Sequence, residues 1–349
     1  MKRFAALAAA LLFLAAPGPI DPRSPTLPED EPVAISAQAL SVPASYSLGS
    51  LRLLSALRLT SKDMRFGGWS GLHVEPNGDV LMLSDRALLL RGRLTTDKNG
   101  ATTGIAGAEI GLLRDKNGAP LPRDDADSEG VTRLRDGRYA LSFETNSRIA
   151  FYDFAGKSAG APPQQTLFFQ GANKLSRNQQ LEALTTLADG ALLVGSERGE
   201  GGNDQSILWR VPVAAQTGSA NEIPKLATYK LPDGYSLTEL AGAPDGSVYA
   251  LLRFYLPFIG AKAQIRRFQF VEENGKTTLT SELLAQLEPP FPTDNYEGLA
   301  LGAGPGGTQL LYVLSDDNYR PEQKSILLTF ELMEKPASKI ADTKTKKTP

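Results

Sequence analysis

The feature that most constrains this chain is an internal repeat. Five segments align, Ser70-Gly71-Leu72, Glu129-Gly130-Val131, Glu182-Ala183-Leu184, Glu239-Leu240-Ala241 and Glu297-Gly298-Leu299, with first residues 59, 53, 57 and 58 apart. Each leads through alternating apolar residues to a turn pair: Asn77-Gly78, Asp136-Gly137, Asp189-Gly190, Asp245-Gly246 and Gly306-Gly307. Such pairs suit two-residue hairpin turns, in which both central residues take positive φ. A second apolar strand follows every pair, and third and fourth strands are readable in most units, such as 149–154 with 165–169 and 207–213 with 226–231. Four strands every fifty-odd residues, with almost no helical periodicity, predict an all-β fold, a β-propeller. The fifth unit stops one strand short, and residues 48–59 supply an unassigned strand ahead of unit one. Pairing that strand as the outer strand of the last blade closes the ring without a free radial edge. The count is then five blades; six would need strands that the sequence does not display.

The segments outside the repeat read differently. Lys2 and Arg3 precede a thirteen-residue apolar run over 4–16 and then small residues and Pro17. A charged start, a core too short to span a bilayer and a small-residue exit predict a signal peptide over 1–20, and a periplasmic or secreted mature chain. No later stretch approaches eighteen apolar residues, so no membrane association is expected after its removal. Residues 21–47 are proline-rich and read as an extended linker, 48–333 as the propeller domain and 334–349 as a Lys-rich flexible tail.

Composition removes several chemistries. The 349 residues include no cysteine, which excludes disulfides, thiolate metal sites and cysteine nucleophiles. With 37 Lys and Arg against 39 Asp and Glu, nucleic-acid binding driven by net basicity is not expected. The single histidine, His73, argues against polyhistidine zinc and reads as a core residue of an inner strand. No Gly-x-Ser-x-Gly elbow is present, and 156–158 and 275–277 lack the upstream glycine of a P-loop.

The acids carry the functional signal. A two-residue turn would set Glu129 opposite Glu144, Ser70 opposite Asp85, Glu182 opposite Glu197 and Glu297 opposite Asp316. In blade four it would set Glu239 against Leu252, leaving Arg253 one residue out of register unless a bulge intervenes. First-strand starts and second-strand ends share one face of a propeller, so these groups are expected to converge as two rings around one mouth. Like charges directly opposed on a sheet destabilise it, so a cation is required among them. Calcium suits an all-oxygen set of Ser70, Glu129, Glu182, Glu239 and Glu297. Arg86, Arg148, Arg198, Arg253 and Arg320 are the competing neutralisers, with the acids then purely structural.

The signatures Ser84-Asp85-Arg86, Asp127-Ser128-Glu129-Gly130-Val131, Leu181-Glu182-Ala183-Leu184, Asn295-Tyr296-Glu297-Gly298-Leu299 and Leu314-Ser315-Asp316-Asp317-Asn318 resemble the phytase-like domain family, also called "esterase-like activity of phytase". The resemblance spans about 50–332. It implies a phosphoester hydrolase in which Asp85, Glu129, Glu144, Glu182, Glu197, Glu239, Glu297 and Asp316 serve activity. One acid per blade is also similar to calcium-dependent nucleotidases, five-bladed propellers with an axial calcium. The dense lysine and aspartate cluster of alkaline propeller phytases is not seen here, which counts against phytate.

The resulting expectation is calcium-assisted hydrolysis of a small phosphorylated substrate. Glu144, Glu197, Asp85 and Asp316 are the catalytic candidates, with Glu144 and Glu197 favoured as base because a neighbouring carboxylate raises a pKa. Arg86, Arg198 and Arg253 would clamp phosphate oxygens, and Tyr255 and Tyr296 would contact substrate. The apolar stretch 254–259 stands at the mouth as a wall, lid or plug. The alternatives are a binding propeller without catalysis and a calcium-dependent lactonase or other ester hydrolase.

Overall fold

The computed structural model describes residues 30–333 apart from 157, 170–171, 173–174, 177–178, 217–222, 257 and 274–275. The expected signal peptide and tail lie outside the described residues. Strands β1 (Glu31–Pro32), β2 (Ile35–Ala39) and β3 (Leu51–Ser61) come first. Blade one is β4 (Trp69–Val74), β5 (Asp79–Ser84), β6 (Leu88–Thr96) and β7 (Thr102–Leu112); blade two is β8 (Ser128–Arg133), β9 (Tyr139–Phe143), β10 (Arg148–Tyr152) and β11 (Gln165–Phe168). Blade three is β12 (Leu181–Thr186), β13 (Leu192–Ser196), β14 (Gln205–Val211) and β15 (Lys225–Lys230); blade four is β16 (Tyr235–Gly242), β17 (Val248–Leu256), β18 (Gly260–Glu273) and β19 (Lys276–Leu287). Blade five is β20 (Asn295–Ala303), β21 (Gln309–Asp316) and β22 (Ser325–Leu332), completed by β3, which runs antiparallel to β22 with Leu57 opposite Leu327.

The fold is therefore a five-bladed propeller. Its inner strands touch in a closed circle, β4 to β8 to β12 to β16 to β20 and back to β4. The amino-terminal strand closes the ring from outside, as the missing strand of the fifth repeat required. Residues 31–39, counted in the sequence as linker, are paired: Glu31 lies opposite Ile110 on β7 and Ala37 opposite Leu59 on β3. Pro32 has no N–H to offer, which is tolerated on an edge strand. Asp30 secures this edge by pairing with Arg91 and accepting the Ala159 N–H at 3.1 Å. Large apolar side chains, among them Trp69, Met82, Tyr296, Phe268 and Phe330, fill the space between blades.

Gly306 and Gly307 both take positive φ as expected, at 68° and 84°, but the other four hairpin turns differ from expectation in one detail that matters. Gly78, Gly137, Gly190 and Gly246 have φ of 86°, 92°, 90° and 89°, but the Asn or Asp before each does not take positive φ. Each glycine N–H donates to the carbonyl three residues back, as from Gly78 to Glu75 at 2.9 Å, and the residue after it closes the loop. These are three-residue loops built on a type I turn with a bulge glycine. The Asn or Asp side chain accepts an N–H two residues on, as from Arg138 to Asp136 Oδ1 at 3.0 Å. The extra loop residue moves the register by one, and a bulge near the start of every inner strand moves it again.

In every blade but the fourth the residue after the bulge is small, Gly71, Gly130, Ala183 or Gly298, for a steric reason. A Cβ on Gly71 would lie 2.3 Å from the Glu129 carbonyl oxygen, and one on Gly130 would lie 2.8 Å from the Leu184 Cβ. The backbone of the next blade approaches these positions too closely for a side chain. Gly71→Val should therefore lower stability by about 2–4 kcal/mol. The check is denaturant unfolding; a loss below about 0.5 kcal/mol would mean that the blades do not approach as described.

Candidate functional site: an acidic mouth with one arginine

The two register shifts decide which residues meet at the mouth. The bulge places Ser70, Glu129, Glu182, Thr238 and Glu297 at equivalent positions on the inner strands. The second-strand ends bring Asp85, Glu144, Glu197, Arg253 and Asp316. Facing them are Gly68, Asp127, Gln180, Ser236 and Asn295, shown by the Asn295–Asp316 and Ser236–Arg253 pairs and by N–H bonds from Asp85, Glu144 and Glu197 to the carbonyls of Gly68, Asp127 and Gln180. Sequence reading set the bulge acids opposite the strand-end acids; the true partners lie two residues earlier. Asp127 and Asn295 stood in the signatures without a role, and no sequence signal separates the three-residue loop that brings them to the mouth from a two-residue turn.

Blade four corrects the expected metal set. Thr238, not Glu239, holds the bulge position, and its Oγ1 donates to the Leu251 and Tyr296 carbonyls. Glu239 occupies the small-residue position and turns between blades, where its Oε1 accepts the N–H groups of Leu184 at 2.8 Å and Leu240 at 2.9 Å. Its Oε2 is buried without a hydrogen-bond partner, and burial pushes this carboxyl well above the usual carboxylate range. Glu239 thus links two blades and does not join a cation site. The expected bulge in blade four is present, and it brings Arg253 into the strand-end ring.

Arg253 neutralises one side of the mouth. Its Nη2 meets Glu197 Oε1 at 3.0 Å, and its Nη1 meets Glu297 Oε1 and, at 2.6 Å, Asn295 Oδ1. Asn295 Nδ2 donates to Glu297 Oε1 at 2.7 Å and to Asp316 Oδ2 at 3.3 Å, and Ser70 hydrogen-bonds Glu297. The guanidinium is held firmly protonated by Glu297, Glu197 and Glu182, against the effect of its burial.

Among the described residues, no ion pair of this kind is formed on the blade-two side. Carboxylate oxygens of Asp127, Glu129 and Glu144 lie within 4.8 Å of one another. Glu144 also hydrogen-bonds Glu182 and accepts the Gln180 N–H at 3.2 Å. The charged neighbours that bear most on Glu129 are Asp127, Glu144, Glu297 and Asp85, all acids. Burial and these acids push Glu144 up to about 8 and Glu129 and Glu182 well above the usual range. Asp85 is pushed to about 7 by burial, with Glu297 and Asp127 adding to the rise and Arg86 opposing it. Asp316, nearly inaccessible, is raised well above its ordinary value by burial, with Glu297 and Asp85 contributing.

The remaining predicted residues sort by their contacts. Arg86 stacks on Tyr319, its guanidinium carbon 3.6 Å from the ring centre, beside Asp85. Arg198 is tied to Asp204 at 2.9 Å, Ser236 Oγ at 3.1 Å and the Tyr235 carbonyl at 3.2 Å, so it fastens the loop after β13 and presents no phosphate clamp. Arg148 lies over Phe143 and donates to the carbonyls of Thr145 and Asp125. Tyr296 is fully buried and its hydroxyl donates to the Pro292 carbonyl at 2.7 Å, so it cannot reach a substrate. Tyr255 is exposed at the hairpin tip. His73 sits beyond the mouth near the opposite end, 3.4 Å from Glu75, which also accepts from Tyr139 and Arg133. Between the two ends a cavity of about 170 Å³ is lined by Leu72, Val131, Leu184, Leu240 and Leu299.

Asp127, Glu129 and Glu144 suit a hard divalent cation. Two oxygens at about 2.4 Å from one ion can be at most about 4.8 Å apart, and all three groups meet that bound. At that separation and an effective dielectric near 20, two full charges repel by about 3 kcal/mol. Without a cation the folded state escapes repulsion by keeping protons. Asp85 and Glu144 have folded-state pKa values raised from 3.8 and 4.5 to about 7 and about 8. Between about pH 4 and 8 the unfolded chain has therefore released protons that the folded chain retains, and stability falls as pH rises through that window. In chelator, Tm should drop by about 5 °C or more from pH 5 to pH 8.5, and calcium should restore it at the upper end. Scanning calorimetry at both pH values gives the answer; a Tm indifferent to pH and calcium would contradict the charge assignment.

No curated protein matches the sequence. Among solved structures, a gluconolactonase from Xanthomonas campestris is 13% identical, covers 85% of this chain and 100% of its own, and has a TM-score of 0.45. A catalytically inactive virginiamycin B lyase from Staphylococcus aureus is 12% identical over 85% of this chain and 99% of its own, at 0.38. A luciferin-regenerating enzyme is 11% identical over 77% and 95%, at 0.42. Likenesses of this size carry nothing about chemistry. The model of the phytase-like family, described as esterase-like activity of phytase, matches residues 64–319, a span that takes in every inner strand and every mouth residue named above. The chain belongs to the phytase-like family.

Proposed function

We propose that this chain is an exported phosphoric ester hydrolase whose acidic mouth works with bound calcium. One observation carries the reading: Asp127, Glu129 and Glu144 gather hard oxygen donors on the side of the mouth that Arg253 does not neutralise. These three side chains would hold the ion, which when bound supplies positive charge to polarise a phosphoryl oxygen. An anionic phosphate is repelled by the bare mouth, so cation loading precedes substrate. Arg86, stacked on Tyr319 beside Asp85, is the arginine placed to meet a phosphate oxygen.

Asp85 stands at the strand end of blade one, electrostatically coupled to Asp127 across to blade two. It takes the proton of the attacking water. Asp316, buried, raised well above its ordinary range and accepting the Asn318 N–H at 2.6 Å, would give its proton to the leaving oxygen and be reprotonated from solvent as Asp85 releases the proton taken from water. Glu197 and Glu297 pair with Arg253 and shape the opposite wall. Export rests on the segment 1–20, which would place the reaction in the periplasm or outside the cell.

A second reading, hydrolysis of carboxylic esters or lactones at the same site, is favoured by the family's esterase-like description. Turnover of bis-p-nitrophenyl phosphate in calcium should be abolished by chelator and reduced about 100-fold or more by Glu129→Gln. Turnover of a lactone with no phosphate release would establish the second reading, and phosphodiester turnover indifferent to chelator would overturn the first.

A further inference from the structure

The longest hairpin of the propeller overhangs the mouth. Inner strand β16 makes its last pair at Tyr235, opposite Phe254, but β17 and β18 run on through the Tyr255–Ala261 and Leu256–Gly260 pairs. Arg253, two residues before Tyr255, is the side chain bound to Glu197 and Glu297. At about 3.3 Å per strand residue, the tip begins within about 10 Å of that ion-pair cluster.

The tip is apolar and turned outward. Tyr255 is 63% exposed, Leu256 46%, Phe258 108% and Ile259 55%. Four large apolar side chains exposed within five residues form a patch, where scattered single ones would need no explanation. The patch rests on a fixed base: Phe254 packs on Tyr235 with ring centres 5.4 Å apart, and a Cβ on Gly234 would lie 2.7 Å from the Phe254 ring. Phe258 takes φ of 72°, a conformation costly for a bulky residue, and Ile259 N–H closes the turn on the Leu256 carbonyl at 3.1 Å. The mouth residues beside it are charged or polar, so this patch contrasts with them.

We infer that the β17–β18 tip is the wall for the apolar part of an amphiphilic substrate, an ester whose anionic head enters the acidic mouth while an alkyl or aryl body lies against Leu256, Phe258 and Ile259. The inference rests on the cation-loaded mouth proposed above and names the class of molecule that it takes. Substrates with a short or wholly polar alcohol would leave the wall wet and bind weakly. A wall covers one side of a chain only, so each added methylene should strengthen binding by about twofold, half the free-energy gain of full burial.

The test measures binding, so that it does not depend on turnover. Calcium-loaded protein is titrated calorimetrically with methyl, butyl and hexyl phosphate, in wild type and in Leu256→Ser/Phe258→Ser, with unfolding curves to show that the variant folds. Hexyl phosphate should bind wild type at least tenfold more tightly than methyl phosphate, and this ratio should fall toward one in the variant. Equal affinities across the series, or a ratio unchanged in the variant, overturn the inference. Tip-dependent sedimentation with phosphatidylcholine vesicles, without any chain-length effect, overturns it in favour of a lipid surface. Absence of any ester turnover alongside a tip-dependent chain-length ratio would instead overturn the catalytic reading and leave the wall in place.

Discussion

Repulsion between carboxylates is the constraint on which the mouth of this propeller depends. The ring geometry brings the inner-strand starts and second-strand ends of every blade to one place, and in this chain most of them end in Asp or Glu. Like charges at that spacing cost a few kcal/mol per pair unless something offsets them. The chain uses three devices. Arg253 offsets Glu197 and Glu297 directly. Burial favours the uncharged form of Glu182, Glu239 and Asp316. Among the described residues, the named charged neighbours of Glu129 in the cluster with Asp127 and Glu144 are all acids, and it is there that a cation is proposed.

Blade four explains the asymmetry. In the other blades the strand-end residue is acidic and the residue after the bulge is glycine or alanine. In blade four the strand end is Arg253, the bulge residue is Thr238 and the glycine position is filled by Glu239. These substitutions are mutually consistent. A carboxyl in place of the small residue is accommodated because it turns toward blade three and accepts two backbone N–H groups, while the threonine leaves the bulge position uncharged next to the incoming guanidinium. One blade thus departs from the repeat, and the propeller's five-fold mouth becomes a two-sided one.

Much of this was legible in the sequence, and the rest was hidden for physical reasons. The repeat spacing, the apolar alternation and the strand missing from unit five predicted five blades and their closure by the amino-terminal strand. The gathering of acids at one face followed from the hairpin pattern. The exact facing pairs did not, because an Asp-Gly pair serves both a two-residue turn and a three-residue loop with a bulge glycine, and these differ by one residue in register. The inner-strand bulges added a second shift that no local composition marks. Glu239 was aligned by its chemical type with the bulge acids, yet its distance from Gly246 places it one residue further along. Tyr296 illustrates a different limit: sequence places it at the mouth, but a strand residue next to a bulge can turn into the core, and this one does. Residues 31–39 looked like linker because proline and small residues dominate them; edge pairing needs only backbone groups, which composition does not report.

The proposed cation would sit off the propeller axis at blade two, on the side that Arg253 does not neutralise. The most direct measurement is anomalous diffraction from crystals grown with terbium, which replaces calcium at oxygen sites. One strong peak is expected within about 2.6 Å of carboxylate oxygens from Asp127, Glu129 and Glu144. A peak on the axis coordinated by Glu182 and Glu297, or a mouth with no bound ion and an arginine seated on the Asp127 cluster, would contradict it.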